Sequence, residues 1–191
     1  MTKNKTLHLL ILLTLFATTL LSACSPAPTA VPLSELDLST VMLHQQDLPD
    51  GFDTVIEGKP EDLFPNAPAV QTGVVNAAST IFKTADSNHV FTNGVLVYDN
   101  QELASNAYQS IVDQTKGEKL TVDPIGDETF AIYTTVTSDV ILNTIHIAMI
   151  LWRTGPAVVF LSSADSQNPP DPETMPNLAN MIQARLVGET P

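Results

Sequence analysis

The sequence has a single cysteine, Cys24, among its 191 residues. One cysteine cannot form an intramolecular disulfide, although small exported domains commonly rely on such bonds. A chain of this length can bury roughly 70% of the surface that it exposes when unfolded, which is sufficient without cross-links. We therefore expect a single domain that is held together by its hydrophobic core.

Basic residues are also scarce. Eight Lys and Arg face 21 Asp and Glu, so the formal net charge is −13. A chain of this charge is repelled by phosphate backbones, which argues against nucleic acid as a partner. The acidic residues are scattered along the chain, a distribution typical of a solvated surface.

Sequence motifs for catalysis are absent as well. The chain contains no G-x-S-x-G, no H-E-x-x-H and no glycine-rich loop of the kind that cradles phosphate. We therefore favour a non-enzymatic protein and expect neither a cofactor nor a metal.

The N-terminus has the layout of an export signal. Lys3 and Lys5 precede an apolar run over residues 6–21. This run is shorter than the ~20 apolar residues that a membrane-spanning helix needs. The pattern predicts a signal peptide over residues 1–23 that is removed after export.

The end of this segment indicates the type of signal. Leu21-Ser22-Ala23-Cys24 resembles the lipobox of bacterial lipoproteins. The resemblance implies cleavage before Cys24 and a diacylglyceryl (palmitate-type) modification of its sulfur, with a lipid bilayer as the partner. Two or more acyl chains anchor a protein stably. The expected location is the outer side of the cell membrane or the outer membrane; the alternative is ordinary secretory cleavage that leaves Cys24 a free thiol.

The remaining chain divides into a short tether and one domain. Residues 24–33 are rich in proline and poor in packing side chains, so they predict an extended tether. Residues 34–191 are then the folded domain. A second polar, proline-rich break covers residues 163–173.

Three segments have helical signals. Ser39 is a candidate N-cap for a short helix that Pro49 ends. Residues 100–117 carry the strongest amphipathic stripe, with Asn100 or Asp99 as the cap and Gly117 at the end. Thr174 is the expected cap of a C-terminal helix.

Alternating and β-branched segments predict the strands. We expect strands at 52–57, 79–84, 90–98 with a bulge at Gly94, 119–122, 129–136, 140–153 and 157–163, and a loop over residues 58–72. The strand at 140–153 is apolar on both sides toward its end, which predicts a central position covered on both faces.

Short connections between the strands favour antiparallel pairing, so the expected fold is an α+β domain with a sheet of five to seven strands and two main helices packed on it. The turns "DLPDGF" and "IGDE" and the order of elements are similar to those of small exported bacterial domains, the PsbP-like and LpqN-like α/β sandwiches. This resemblance implies no catalytic residue.

Several polar groups have a chemical and a structural interpretation. A calcium loop centred on Gly51 would need acids at Gln46 and Leu48, so we favour a turn. His44, His89 and His146 lack metal-ligand spacing, and His146 alternates within an apolar strand, which is typical of a core or half-buried histidine with a hydrogen-bond partner.

Asp127 and Glu128, with Asp123 nearby, are a candidate carboxylate pair for acid–base chemistry. Adjacent strand residues usually point apart, so turn formation around Gly126 is the favoured interpretation. Trp152 and Arg153, at the end of the long strand, are our candidate ligand-binding residues.

The resulting hypothesis is a membrane-anchored extracytoplasmic lipoprotein whose domain binds a protein or small ligand as a sensor or accessory factor. The alternatives are an envelope hydrolase that uses the Asp/Glu pair and a structural envelope or assembly protein.

Overall fold

The computed structural model describes residues 32–58, 68–137 and 144–189. The predicted signal peptide, Cys24 and residues 25–31 of the tether lie outside these ranges. Residues 59–67 of the expected loop and residues 140–143 of the expected long strand also lie outside them.

Within these ranges, seven strands form one sheet and three α-helices accompany it. In chain order the elements are β1 (Phe52–Gly58), α1 (Pro68–Gln71), β2 (Val74–Thr84), β3 (His89–Tyr98), α2 (Gln101–Gln114), β4 (Glu118–Lys119), β5 (Glu128–Thr137), β6 (Thr144–Thr154), β7 (Ala157–Asp165) and α3 (Thr174–Val187). Three short 3₁₀ helices, Leu33–Glu35, Leu38–Thr40 and Gln45–Asp47, precede β1.

The sheet joins two antiparallel meanders. Its strand order is β1-β2-β3-β7-β6-β5-β4, and every neighbouring pair is antiparallel. Helix α2 carries the chain from β3, near the middle, to the far edge at β4, from which β5, β6 and β7 return. The predicted α+β class and antiparallel sheet are confirmed, and the seven strands lie within the expected range of five to seven.

Helix α2 covers one face of the sheet. Asn100 caps its start by accepting a hydrogen bond from the Leu103 N–H at 3.0 Å. Small side chains at Ala104 and Ala107, both fully buried, let the helix approach the sheet closely. Its layer includes Leu151 of β6 and Val158 of β7.

The other face is covered by helix α3 and by residues 33–47, which contain the three 3₁₀ helices and are called the 3₁₀ segment below. The buried side chains of α3 are Met175, Leu178, Ala179, Ile182 and Leu186. They share one hydrophobic cluster with Val41, Met42 and Leu43 from the 3₁₀ segment and with alternate residues of β3, β6 and β7. The sheet is therefore the middle of three layers.

The prediction that β6 lies inside the sheet with both faces covered is confirmed. It lies between β5 and β7, and consecutive residues contribute to opposite layers: Leu151 to the α2 side and Trp152 to the α3 side. Both side chains are fully buried. The two-residue Gly155-Pro156 turn then leads into β7, with the positive φ of 55° at Gly155 that the first position of a type II′ turn needs.

The predicted bulge at Gly94 is wrong, although β3 is the single strand expected. Gly94 pairs in regular register with Ser79 of β2 and Phe160 of β7. A Cβ atom at this position would lie 2.3 Å from the Phe160 ring. Glycine is therefore needed because an aromatic ring from the neighbouring strand covers the position.

Several predicted element ends differ from the structure because local contacts decide them. Asp37, not Ser39, caps the 3₁₀ turn, by accepting the Ser39 N–H. Helix α2 ends at Gln114, before Gly117. Strand β2 begins at Val74, earlier than expected, and β4 is only two residues long. The expected loop over 58–72 contains α1, and β7 extends to Asp165.

The start of helix α3 also differs from the expectation. Glu173, not Thr174, is its N-cap by backbone position, and it makes no side-chain cap hydrogen bond. The Thr174 hydroxyl instead donates to the Asp171 carboxylate.

The buried Asn93 fixes the 3₁₀ segment to the sheet, and the part-buried Arg185 fixes it to helix α3. Asn93, fully buried in β3, accepts the Leu43 N–H at 3.2 Å and donates to the Thr80 carbonyl at 3.2 Å. Arg185 of α3 forms a two-point ion pair with Asp47, with both N–O distances at 2.8 Å, and also donates to the Met42 carbonyl. Burial alone would raise the pKa of Asp47, but hydrogen bonds from Arg185 and the His44 N–H lower it below its usual value.

We predict that Arg185→Gln destabilises the fold by about 3 kcal/mol, because it leaves the nearly buried Asp47 carboxylate without its counter-charge. Urea denaturation checks this. Arg153→Gln is the matched control, because the carboxylates that pair with Arg153 are 39% and 50% exposed, and its expected cost is below about 1 kcal/mol. Equal losses for the two variants would contradict the assignment.

Candidate functional site

An apolar groove of about 400 Å³ lies on the α3 side of the sheet. Its lining comes from three separate segments: the chain after β4, strands β5 and β6, and the run that leads into α3. The lining residues are Leu120, Thr121, Val122, Tyr133, Ala148, Ile150, Pro169, Pro170, Asp171, Pro172, Met175 and Pro176. Concave, mostly apolar cavities of this size with few polar groups are typical of small-molecule sites.

The proline-rich wall gives the groove a rigid side. Four of its lining residues are prolines, between positions 169 and 176. Their ring-locked φ angles restrict the backbone that leads into α3. Pro176 lies in the first helical turn, where a missing N–H breaks no helical hydrogen bond. A wall of restricted backbone loses little conformational entropy when a ligand binds.

Tyr133 in the groove lining forms a polar pair with His146, which lies outside that lining. The hydroxyl of Tyr133, on β5, is 2.6 Å from Nδ1 of His146 on β6. The two rings stack with an interplanar angle of 16° and centroids 6.1 Å apart. This pair agrees with the expectation of a half-buried, satisfied histidine, because His146 is partly buried and its ring has a specific partner.

The rim carries one ionised group among the groove-lining residues, Asp171. Its carboxylate accepts hydrogen bonds from the Thr174 hydroxyl and the Glu173 N–H at the start of α3. These bonds lower the pKa of Asp171 below its usual value. The carboxylate is therefore negatively charged at neutral pH.

A second polar cluster lies on the same face, at the end of the central strands. Nε2 of His89 on β3 is 2.8 Å from Oγ of Ser163 on β7, and Nδ1 of His89 is 3.5 Å from a carboxylate oxygen of Asp165. The residues have the order of a serine nucleophile, a histidine and an acid. Asp165 also accepts the backbone N–H groups of Gln167 and Asn168, which orders the turn after β7.

The burial of Ser163 indicates that this cluster has a structural role. Ser163 is 1% exposed, so no substrate reaches its hydroxyl. The 3.5 Å separation of His89 and Asp165 is longer than a normal hydrogen bond. Ser163 also lies within a regular strand, whereas a nucleophilic serine is presented at an exposed turn. The His89–Ser163 bond therefore satisfies polar atoms inside the sheet layer.

The structure places the two predicted ligand residues apart. Trp152 is fully buried beneath α3, where its indole N–H donates to the Gln183 side chain at 2.9 Å. Arg153 follows it on the strand and therefore projects from the opposite face. Neither residue lines the groove. A ligand contact by Trp152 or Arg153 stays a prediction.

Arg153 instead forms ion pairs with both members of the predicted carboxylate pair, Asp127 and Glu128. Its guanidinium lies 2.6 Å from Glu128 and 3.1 Å from Asp127, and it donates to the Gly155 carbonyl. Asp127 also accepts the Gly155 N–H at 2.8 Å. Both carboxylates are thus engaged in joining two turns at one end of the sheet, which agrees with the turn interpretation.

The remaining polar candidates have local roles. His44 precedes the third 3₁₀ turn, and Gly51, with φ of 99°, forms the turn into β1 where a calcium loop was considered. Among the described residues, no group of three His, Cys, Asp or Glu side chains is placed to hold a metal ion. In the same ranges, no helix combines the length and apolarity needed to cross a membrane.

Sequence reasoning missed the groove because its walls are far apart in the chain. The available signal was the concentration of prolines at residues 169–176, which we interpreted as a break between elements. Tyr133 showed no signal, since an aromatic residue is ordinary in a strand.

His89 makes a testable contribution to the pH dependence of stability. Burial lowers its pKa below the usual value of 6.5, and the Asp165 charge opposes this only in part. A lowered pKa means that folding favours the neutral ring, so this stabilisation is complete above pH ~6.5 and is lost as the pH falls through the folded-state pKa. We predict that His89→Gln reduces the loss of unfolding free energy between pH 7 and pH 5, measured by urea denaturation.

The parent protein, measured at the same pH values, is the reference for this experiment. An unchanged slope in His89→Gln would mean that the ring is not the group responsible.

Comparisons with known proteins add a likeness of fold. No protein-family model matches the chain, and no curated protein sequence matches it significantly. The chain is similar in structure to the extracellular domain of PknH from Mycobacterium tuberculosis, with a TM-score of 0.50 and 13% sequence identity. The match covers 85% of this chain and 97% of that chain. At this identity the similarity shows a shared fold.

Proposed function

We propose that this protein is an extracytoplasmic, lipid-anchored domain that binds a small apolar molecule in the groove between strands β5 and β6 and the start of α3. The observation that carries the proposal is the groove itself. It has the volume of a small-molecule site, an apolar lining, a restricted wall and a hydrogen-bonded tyrosine, Tyr133, among its lining residues. Such a domain acts as a sensor or accessory factor and needs no catalytic group.

The polar clusters elsewhere support binding over catalysis. The Ser163 hydroxyl is buried, and Asp127 and Glu128 are both held by Arg153. Each of these groups has a structural partner that accounts for its position. The groove differs from these clusters because its lining leaves a mostly apolar space of about 400 Å³.

Two observations support the location. The fold is similar to a domain described as extracellular, from a bacterial protein. Independently, the Leu21–Cys24 sequence resembles a lipobox, which would attach the chain to a membrane through Cys24. Both are consistent with a binding domain that faces outward.

Binding in the groove is tested with Nile red, an uncharged dye whose fluorescence rises in apolar surroundings. The full chain is used with Cys24→Ser, so that no detergent is needed and any dye bound by the leader is common to all variants. Leu120, at the rim, is 41% exposed. We predict that Leu120→Asp weakens dye binding roughly tenfold, because it places a charge on an apolar wall; this equals about 1.4 kcal/mol.

Val136→Asp is the matched control. Val136 is 47% exposed on the neighbouring strand β5 but does not line the groove. Its dye affinity should equal that of the parent. If both substitutions weaken binding equally, or if the parent does not bind the dye, the proposed function is wrong.

The anchor is tested separately in the native bacterium. We predict that Cys24→Ser removes the protein from the membrane fraction and abolishes the lipid mass increment, because no other cysteine is present to accept the acyl group. Intact-mass measurement and fractionation check this result. Ser25→Ala is the control and should remain membrane-bound; a Cys24→Ser protein that keeps the lipid mass would exclude the anchor.

A further inference from the structure

The rim of the groove bears the negative charge of Asp171, next to the N-terminus of helix α3, where an anionic ligand would otherwise be attracted. Helix α3 has 14 residues, and its first turn contributes Met175 and Pro176 to the groove lining. A helix N-terminus carries partial positive charge and free N–H groups that favour anions. Here that favourable position is already filled.

Asp171 is the residue that fills it. Its carboxylate accepts hydrogen bonds from the Glu173 N–H and the Thr174 hydroxyl. Pro176 offers no N–H in the same turn. A carboxylate or phosphate on a ligand would therefore meet an ionised side chain and a turn with reduced donor capacity, and the overall charge of −13 adds to the repulsion.

Tyr133 offers the complementary feature for an uncharged polar group. The Tyr133 hydroxyl has one donor and two acceptor positions, and the 2.6 Å contact with His146 uses one of them. In either tautomer of the imidazole, the phenol keeps hydrogen-bonding capacity. Tyr133 is also part of the apolar lining, so a ligand in the groove contacts this residue.

We propose that the groove selects an uncharged, largely apolar small molecule that carries a single hydrogen-bonding group, which bonds to the Tyr133 hydroxyl, and that Asp171 excludes anionic analogues. This inference rests on the proposed function and defines the ligand class of the same groove. Tyr133 is then the specificity residue for the polar group, and Asp171 is the specificity residue for charge.

The test uses three probes that differ at one position of one ring system: 2-naphthol, 2-methylnaphthalene and 2-naphthoate. Each competes with Nile red for the full chain carrying Cys24→Ser at pH 7, where 2-naphthol is uncharged and 2-naphthoate is an anion. We expect 2-naphthol to bind about fivefold more tightly than 2-methylnaphthalene, the value of about one net hydrogen bond, and at least tenfold more tightly than 2-naphthoate.

Two substitutions assign the selectivity to its residues. Tyr133→Phe should reduce 2-naphthol to the affinity of 2-methylnaphthalene while leaving 2-methylnaphthalene unchanged, which shows that the groove is intact. Asp171→Asn should raise the affinity for 2-naphthoate severalfold and leave 2-naphthol unchanged. Asp123→Asn, at an exposed residue outside the groove lining, is the matched control and should alter none of the three affinities.

The outcomes separate this inference from the proposed function. Suppose that Nile red binds and Leu120→Asp weakens its binding, but 2-naphthoate binds as tightly as 2-naphthol. The groove is then a binding site, and the proposed ligand class is wrong. The same conclusion follows if Tyr133→Phe leaves the preference for 2-naphthol intact. If neither the dye nor any probe binds in the groove, both the proposed function and the proposed ligand class are wrong.

Discussion

The structure depends on the burial of both faces of its two central neighbours, β6 and β7. Successive side chains on these strands, such as Leu151 and Trp152, are fully buried in opposite layers. A sheet with two apolar faces requires a cover on each side. Helix α2 supplies one cover, and α3 together with the 3₁₀ segment supplies the other. This arrangement replaces the cross-links that a chain with one cysteine cannot form within itself.

The same constraint creates the groove. Helix α3 and the 3₁₀ segment share one face of the sheet, while β4 is only two residues long at its far edge. The prolines that lead into α3 lie across from Leu120 and Val122, so a space remains above Tyr133 and Ala148. The groove therefore results from how far one layer extends over the sheet, and two of its polar lining residues, Tyr133 and Asp171, come from separate parts of the chain.

Features that are periodic in the sequence could be predicted, and features that depend on register could not. The amphipathic stripe of α2 and the apolar run of β6 predicted which side chains are buried, because the spacing of apolar residues follows the period of the helix or strand. The short connections between strands predicted antiparallel pairing. Gly94 was interpreted as a bulge since the ring of Phe160 that covers it comes from a strand 66 positions later. The proximity of His89 to Ser163 and the convergence of three segments on the groove likewise arise from long-range pairing. The predicted caps Ser39 and Thr174 are each wrong by one or two positions, because Asp37 caps the 3₁₀ turn and Glu173 occupies the N-cap position of α3.

The ion pair between Asp47 and Arg185 joins residues 138 positions apart. Closing so long a loop is slow and entropically unfavourable until other contacts exist. A ribosome releases the N-terminal residues first, so the Asp47 carboxylate has no ion pair with Arg185 until nearly the whole polypeptide has been made. A chain that ends before α3 therefore leaves the Asp47 carboxylate without its ion pair and this face of the sheet without one of its two covers.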